Sequence, residues 1–264
     1  MSVSLDEIPE VSRLAWLRLR DELQLTLGDD LVALWAHGGT TFPDRPTPGG
    51  DLDTYAVLAR RPDASHSKRI EEAHDTITRQ HGVEWDAWYV LADDARLPES
   101  PKHAFQPDRR DTSWAIHRAH WHAGRYVPLY GPEPAEIVPA PTWAELEVDI
   151  RRELEHLERH VVEGDDDPYE ATYSIFSGSR ILHAVETGNV VISKRSAGAW
   201  ALEHLPDRWH AAIHAAGHAY DSQATPEEVA VLSAVMAPFV AMVRDRLPAL
   251  TEPSADALPR WSGY

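Results

Sequence analysis

The chain contains no cysteine among its 264 residues. Disulfides, thiolate metal sites and a cysteine nucleophile are therefore excluded. Apolar runs are short, and none approaches the about 20 residues needed to cross a bilayer, so we expect no membrane partner. Residues 1–13 are acidic and lack the basic and then apolar pattern of a signal peptide. Together these absences predict a cytoplasmic protein.

Basic residues are also scarce, with 25 Lys and Arg against 43 Asp and Glu, for a formal charge of −18. Sequence-independent binding to nucleic acid needs clustered Lys and Arg, so we expect no nucleic-acid partner. An acidic cleft would attract a cationic substrate, although many cytosolic proteins are acidic for solubility alone. We therefore expect a cationic small molecule as partner, and a monomer.

The pattern of apolar residues changes near residue 138. Before it, short apolar segments at 31–36, 51–59 and 83–92 predict strands, with helices between them. After it, long periodic segments predict helices only. We predict an α+β chain with an α/β domain over 1–138, an all-helical domain over 139–250 and a loose tail over 251–264.

Several helix boundaries are marked by capping residues. Ser65 or Ser67 is the predicted N-cap of the helix that ends before Gly82. Ser193 is the predicted N-cap of a later helix. The last helix should begin at the capping box that starts with Thr225.

The most informative stretch runs from His37 to Leu58. Asp51 and Asp53 are alternate residues at the start of an apolar strand, so their side chains should project from one face. Two adjacent carboxylates repel each other, and the commonest reason for such a pair is a divalent cation such as Mg²⁺. Just upstream, residues 38–41 (Gly-Gly-Thr-Thr) suit a backbone that must approach a phosphate closely. Two solvated acids at a strand start are the alternative.

A Gly-Thr turn followed by an Asp-x-Asp strand resembles the signature of the DNA polymerase beta-like nucleotidyltransferases. The helical half adds a second resemblance. Arg180-Ile181, Thr187-Gly188, Ser193-Lys194, the run at 199–203 (Ala-Trp-Ala-Leu-Glu) and Leu205-Pro206 follow in the order of the aminoglycoside adenylyltransferases that modify streptomycin and spectinomycin. Two motifs in the right order in two domains are far more specific than either one.

This resemblance implies an N-terminal nucleotidyltransferase domain with a small mixed sheet, followed by a helical bundle that binds substrate and closes on ATP. It assigns Mg²⁺ to Asp51 and Asp53, and the nucleotide phosphates to Gly39 and Thr40. The family's general base lies on the next strand. Asp86 matches it, and Glu84 on the same face is the alternative.

In the helical half, the resemblance assigns Arg180, Lys194 and Tyr220 to the ATP phosphates. Glu170 and Asp166 match positions that bind a cationic drug. Trp114 is a shifted candidate for the family's substrate-stacking tryptophan. For Arg180 an ion pair with a helix neighbour is the alternative, and for Lys194 a solvated position in the first helical turn.

The implied function is Mg²⁺-dependent transfer of AMP from ATP to a hydroxyl of an aminoglycoside-like molecule, and hence antibiotic resistance. Two alternatives stay open. One is a nucleotidyltransferase of the same fold that modifies a protein or another metabolite, and the other is a nucleotide-binding partner protein without turnover.

The 15 histidines and 10 tryptophans suggest further readings. The histidines at 117, 120 and 122 and at 210, 214 and 218 lack a recognised ligand spacing such as His-Glu-x-x-His, so we expect solvated faces rather than a zinc site. The tryptophans are expected to pack in the core rather than to stack on bases.

Overall fold

The computed structural model of the chain describes residues 2–44, 51–163 and 167–247. The chain divides between Pro141 and Thr142 into two compact units. The first unit combines strands and helices, and the described elements of the second are helices. The predicted α+β class is therefore confirmed. Asp166 and the predicted tail at 251–264 lie outside the described residues.

A four-stranded mixed sheet forms the centre of the first unit, with the strand order β3-β2-β1-β4. Its strands are β1 (Leu31–Ala36), β2 (Leu52–Leu58), β3 (Trp85–Leu91) and β4 (Val127–Tyr130). Strand β1 is antiparallel to both β2 and β4, whereas β2 and β3 are parallel. A parallel pair needs a crossover connection, and the helix between β2 and β3 supplies it.

Helices surround this sheet and build the second unit. Those of the first unit are α1 (Glu10–Leu27), α2 (Ala64–His81), α3 (Ala92–Ala95), α4 (Trp114–His122) and α5 (Pro134–Ile137). Those of the second unit are α6 (Trp143–Glu163), α7 (Pro168–Thr187), α8 (Lys194–His204), α9 (His210–Tyr220) and α10 (Pro226–Arg246).

The two faces of the sheet have separate apolar cores. On one face, α1 and α2 pack through residues such as Trp16, Leu19 and Ile70. On the other face, α4 packs through Trp114 and Trp121. Alternate residues of a strand point to opposite faces, so each strand contributes to both cores. The tryptophans are therefore largely core residues, as the sequence predicts.

Local capping confirms two predicted helix starts and corrects a third. Ser193 accepts a hydrogen bond from the Ser196 backbone N–H, at 2.9 Å, and Thr225 forms the predicted capping box. The N-cap of α2, however, is Asp63, whose Oδ1 accepts the N–H groups of the two residues at 65 and 66. The prediction of Ser65 or Ser67 was wrong because the helix begins earlier, at Ala64, where Asp63 satisfies its first N–H donors.

Helix α7 is the central helix of the second unit and packs against the other four. Close approach to α10 requires Gly178, since a Cβ there would lie 2.8 Å from Phe239 Cε1. The inner face of α10, including Leu232, Val240 and Val243, is buried.

By length and composition alone, α10 could cross a membrane, with a mean hydropathy of 1.5 and 28% of its apolar window buried. The expectation that no segment approaches this length was wrong, because the charged residues of α10 lie at its two ends and leave the middle of the helix apolar. In the structure its inner face forms part of the core of the helical unit.

Candidate active site

The start of β2 positions the two carboxylates of the Asp-x-Asp motif. Leu52 is 2% exposed and belongs to the core under α1 and α2. The neighbouring Asp51 is exposed, and Asp53 is partly exposed on the opposite face. Tyr55 continues that face into the core under α4. The two carboxylates therefore share the face covered further along by α4.

The parallel pairing of β2 with β3 adds the third acid. Asp53 pairs with Asp86, and the flanking pair is Leu52 with Trp85. Asp86 is exposed and lies two residues before Trp88, which belongs to the same core as Tyr55. Neighbouring strands are about 4.8 Å apart, so the carboxylates of Asp53 and Asp86 project side by side from one face. Glu84 is also exposed and directly precedes β3.

The turn after β1 lies against the Asp53 side chain. Gly38 has a φ of +75°, and a Cβ built on it would lie 1.6 Å from Asp53 Oδ2. The His37 backbone N–H donates to the Asp53 carbonyl oxygen at 3.0 Å. Only glycine therefore fits at position 38, for its conformation and for the space it leaves.

The turn continues as a short 3-10 helix, Gly39–Thr41. The first N–H groups of such a turn have no acceptor within the turn. They can therefore donate to the oxygens of a bound phosphate, as the sequence predicts. The Thr41 hydroxyl donates to the Gly38 carbonyl oxygen at 2.7 Å and stabilises the turn. Thr40 is 6% exposed. The hydroxyl of Thr41 thus has a structural role, and Gly39 and Thr40 are left as the phosphate candidates.

Within the residues that the structure describes, no group of three or more His, Asp and Glu side chains is placed to hold a metal ion by itself. A site made wholly of protein ligands does not fit these residues. Mg²⁺ typically takes one or two carboxylates together with substrate phosphates. Asp51 and Asp53, beside the Gly38 turn, fit an ion whose coordination a bound triphosphate completes.

A buried polar network that sequence reasoning missed lies on the same face of the sheet. Asp111 is 2% exposed. Its Oδ2 accepts the Tyr55 hydroxyl at 3.1 Å and lies 2.9 Å from His117 Nδ1. Burial opposes ionisation of Asp111, but the His117 charge and these hydrogen bonds outweigh it and lower the pKa of the carboxyl. The sequence feature that could have revealed this network is the spacing of His117, which lies three residues after Trp114 and four before Trp121.

This network corrects two expectations. His117 and His120 do not form a solvated face, because His120 is 6% exposed and His117 is half-buried. Among the later histidines, His214 and His218 are exposed as expected. Trp114 is 1% exposed and stacks on Tyr55, so its ring is in the core and does not fit the predicted role of stacking on a substrate.

In the helical unit, Lys194 is the first residue of α8. Its Nζ lies 5.2 Å from the centre of the Tyr173 ring and 5.6 Å from that of Tyr220. Tyr173 in turn donates its hydroxyl to Glu153 Oε1 at 2.7 Å. Cation–π contacts with two rings hold the ammonium group against the helix surface. The predicted Lys194 and Tyr220 are thus brought together, and Tyr173 was missed because it lies on α7, far away in sequence.

Two arginines differ in their surroundings. The Arg195 guanidinium pairs with both carboxylate oxygens of Asp221 and lies over the Tyr220 ring. The hydrogen bonds from Arg195 lower the pKa of Asp221. Arg180 is half-buried on α7, and its charge is felt by Tyr173, whose pKa burial and Glu153 raise. Arg180 therefore lies on the same side of the helical unit as Lys194.

Glu170 lies in the first turn of α7 and faces α6. Its Oε2 is 3.5 Å from His160 Nδ1, and the side chains are 20% and 18% exposed. His160 Nε2 is 3.2 Å from His156 Nε2, and the His156 ring meets the Tyr173 ring edge-on. Glu170 is thus connected through ring contacts to the side of the unit that carries Lys194.

Comparison with known structures gives the class of fold. A crystal structure of spectinomycin adenyltransferase AAD(9) from Enterococcus faecialis with ATP and spectinomycin matches with a TM-score of 0.70 and 16% identity. The match covers 88% of this chain and 97% of that chain. The fold is that of an N-terminal nucleotidyltransferase domain followed by a helical domain. No curated protein matches the chain in sequence.

Residues 144–245 match the family model "Aminoglycoside adenylyltransferase, C-terminal domain". These residues span α6 to α10 almost completely. The helical unit is therefore similar to the C-terminal domain of the aminoglycoside adenylyltransferases, as the order of its sequence motifs predicts.

Proposed function

We propose that the chain is a Mg²⁺-dependent nucleotidyltransferase that transfers AMP from ATP to a hydroxyl of a cationic, aminoglycoside-like molecule. The observation that carries this proposal is the register of the parallel strands, which places Asp86 directly beside Asp53. Asp51 lies two residues before Asp53 on the same face. An acid for proton transfer is thereby set next to a pair suited to a divalent cation.

Each unit offers candidate groups for the phosphates of the nucleotide. The backbone N–H groups of Gly39 and Thr40 are suited to phosphate oxygens because they begin a helical turn. Lys194 and Arg180 supply positive charge for the β- and γ-phosphates, and the Tyr220 hydroxyl supplies a hydrogen bond. The rings that flank Lys194 support this role, since they restrict the position of its ammonium group.

The reaction is an in-line attack of a substrate hydroxyl on the α-phosphorus of ATP. A new oxygen–phosphorus bond forms, the bond from the α-phosphorus to the bridging oxygen breaks, and pyrophosphate leaves. The Asp86 carboxylate accepts the hydroxyl proton, with Glu84 as the neighbouring acid on that face. Lys194 and Arg180 stabilise the charge that builds up on pyrophosphate. Mg²⁺ held by Asp51 and Asp53 would polarise the phosphoryl oxygen and orient the triphosphate.

The negative charge of Glu170 indicates that the molecule that accepts AMP is cationic. Glu170 is a partly exposed acid on the side of the helical unit that carries Lys194, with His160 as its neighbour. A carboxylate in this setting pairs with a protonated amine or guanidinium group. Because ATP is the co-substrate, we place the enzyme in the cytoplasm, where drug modification would confer resistance.

The test is pyrophosphate release from ATP and Mg²⁺ with a panel of aminoglycosides and spectinomycin. Wild type is compared with Asp51→Asn and Asp86→Asn. Asp93→Asn is the matched control, because this acid follows β3 and is 97% exposed in its side chain. Release that requires a drug, persists in Asp93→Asn and falls by at least about 100-fold in the other two variants is the expected result.

Other outcomes separate the alternatives. ATP binding that depends on Mg²⁺ and Asp51, without release on any drug, would refute drug modification and favour another acceptor or a protein without turnover. Release that is unchanged in Asp51→Asn would refute the proposed site.

A further inference from the structure

Two basic residues open α8, at the end of a helix where positive charge is unfavourable. Lys194 and Arg195 are the first two residues of α8, and Ser193 caps the helix. The N-terminus of a helix is the positive end of its dipole, so it repels cations in the first turn. Two adjacent cations at this position therefore need interactions that offset the repulsion.

Asp221 provides such an interaction for Arg195. Asp221 directly follows α9, and both of its carboxylate oxygens accept hydrogen bonds from the Arg195 guanidinium, one of them at 3.0 Å. The two side chains are 33% and 26% exposed. A bidentate pair of this kind fixes the plane of the guanidinium as well as its position. The pair therefore joins the start of α8 to the end of α9.

The paired guanidinium lies against Tyr220, the last residue of α9. Its central carbon is 5.3 Å from the centre of the Tyr220 ring, and Lys194 Nζ is 5.6 Å from the same centre. The Phe176 ring meets the Tyr220 ring edge-on at 5.5 Å, and Phe176 is buried. The Tyr220 ring thus connects a paired arginine and an adjacent lysine to the core of the helical unit.

We propose that Arg195, held by Asp221, is a positioning residue that fixes the Tyr220 ring and, through this ring, the Lys194 ammonium group. The carboxylate of Asp221 offsets the charge of Arg195, so the guanidinium restrains the ring rather than binding a phosphate itself. The proposed function supplies the reason for such a restraint, since this role of Arg195 rests on Lys194 and Tyr220 being ligands of ATP.

Positioning and direct phosphate binding predict opposite effects of Asp221→Asn. ATP is a polyanion, so the removal of a nearby carboxylate should tighten its binding if Arg195 is a direct ligand. If Asp221 instead holds Arg195 against Tyr220, the same substitution releases the guanidinium and should weaken the binding of ATP. The sign of the change in Kd therefore distinguishes the two roles.

The test measures the Kd for ATP in the presence of Mg²⁺ by isothermal titration calorimetry, with no acceptor present. Wild type is compared with Arg195→Met, with Asp221→Asn and with the variant that carries both substitutions. The Tm of each protein is measured alongside, so that a loss of ATP binding can be compared with any loss of stability.

Two other arginines of the helical unit provide matched controls. The Arg208 guanidinium lies over the Trp209 ring at 5.1 Å, and Arg244 pairs with Glu158 at 3.3 Å. Arg208→Met therefore removes a cation–π contact, and Arg244→Met removes an ion pair between helices. Each control loses the same positive charge as Arg195→Met.

Arg195→Met and Asp221→Asn should each raise the Kd for ATP about 3- to 10-fold, through loss of the restraint on the Tyr220 ring. The double variant should bind ATP no more weakly than the weaker of the single variants, because the two side chains act as one pair. Both control variants should bind ATP nearly as wild type does.

Unchanged or tighter ATP binding by Asp221→Asn would overturn the proposal, and if Arg195→Met alone bound more weakly, Arg195 would be a direct phosphate ligand. An equal rise in Kd in the two controls would also overturn it, because any loosened contact or lost charge would then have the same effect. ATP binding by wild type without drug-dependent pyrophosphate release would refute the proposed acceptor and leave the role of Arg195 standing. Absence of ATP binding by wild type would refute both.

Discussion

Gly38→Ala is the sharpest single perturbation of the candidate site. Gly38 has a φ of +75°, and an added Cβ would lie 1.6 Å from Asp53 Oδ2 and 2.4 Å from Asp53 Cγ. Carbon atoms do not approach oxygen this closely, so the carboxylate of Asp53 must move by more than about 1 Å. The substitution thus displaces a proposed metal ligand without changing any charge.

Gly38→Ala should lower both the stability and the activity of the protein, for two different reasons. The left-handed conformation costs an L-residue roughly 1–2 kcal/mol. The displaced carboxylate should cost activity, since a misplacement of about 1 Å can lower a rate by about 100-fold. Gly82→Ala is the matched control: its φ is +64°, and nothing lies within 4 Å of its added Cβ. It carries the conformational cost alone.

The assay is pyrophosphate release at saturating ATP, together with the Tm of each variant. Both alanine variants should lose a similar few degrees in Tm, and only Gly38→Ala should lose about 100-fold in kcat. Half-saturation by Mg²⁺ should also move to higher concentration in Gly38→Ala. A Gly38→Ala enzyme with wild-type kcat would refute the inference that this turn holds Asp53 in its working position.

Three further predictions concern other parts of the chain. Tyr173→Leu should raise the KM for ATP about 3- to 10-fold through loss of the ring over Lys194, whereas Tyr173→Phe, which keeps the ring, should stay near wild type in the same assay. Burial lowers the pKa of His74 to about 4, so its stabilising contribution is complete above pH 6.5 and is lost as the pH falls towards 4. Urea unfolding at pH 7 and at pH 4 measures how much the free energy of unfolding falls between these pH values. In His74→Gln this fall should be smaller than in wild type by about 3 kcal/mol, and an equal fall would contradict the prediction. Gly178→Ala should destabilise the chain by about 1–3 kcal/mol in urea through overpacking against α10, while Gly217→Ala, with open space at its Cβ, should not.

Short-range patterns in the sequence predicted much of this molecule. The alternation of Asp51, Leu52 and Asp53 places two carboxylates on one face because the side-chain period of a strand is two. The starts of two helices follow from Ser193 and Thr225, whose side chains satisfy N–H groups three residues away. For α2 the same local reasoning chose Ser65 or Ser67, whereas the N-cap of the helix is Asp63.

Only the tertiary structure decided how distant segments combine. The register that sets Asp53 beside Asp86, the contact of Gly38 with Asp53, and the approach of Tyr173 to Lys194 each join residues from different elements. No local period encodes such pairings, because they depend on strand order, helix packing and loop closure over the whole domain. The sequence by itself therefore determined which chemical groups are present and how each is presented by its own strand or helix. Packing decided that Trp114 is buried and that His117 pairs with the buried Asp111.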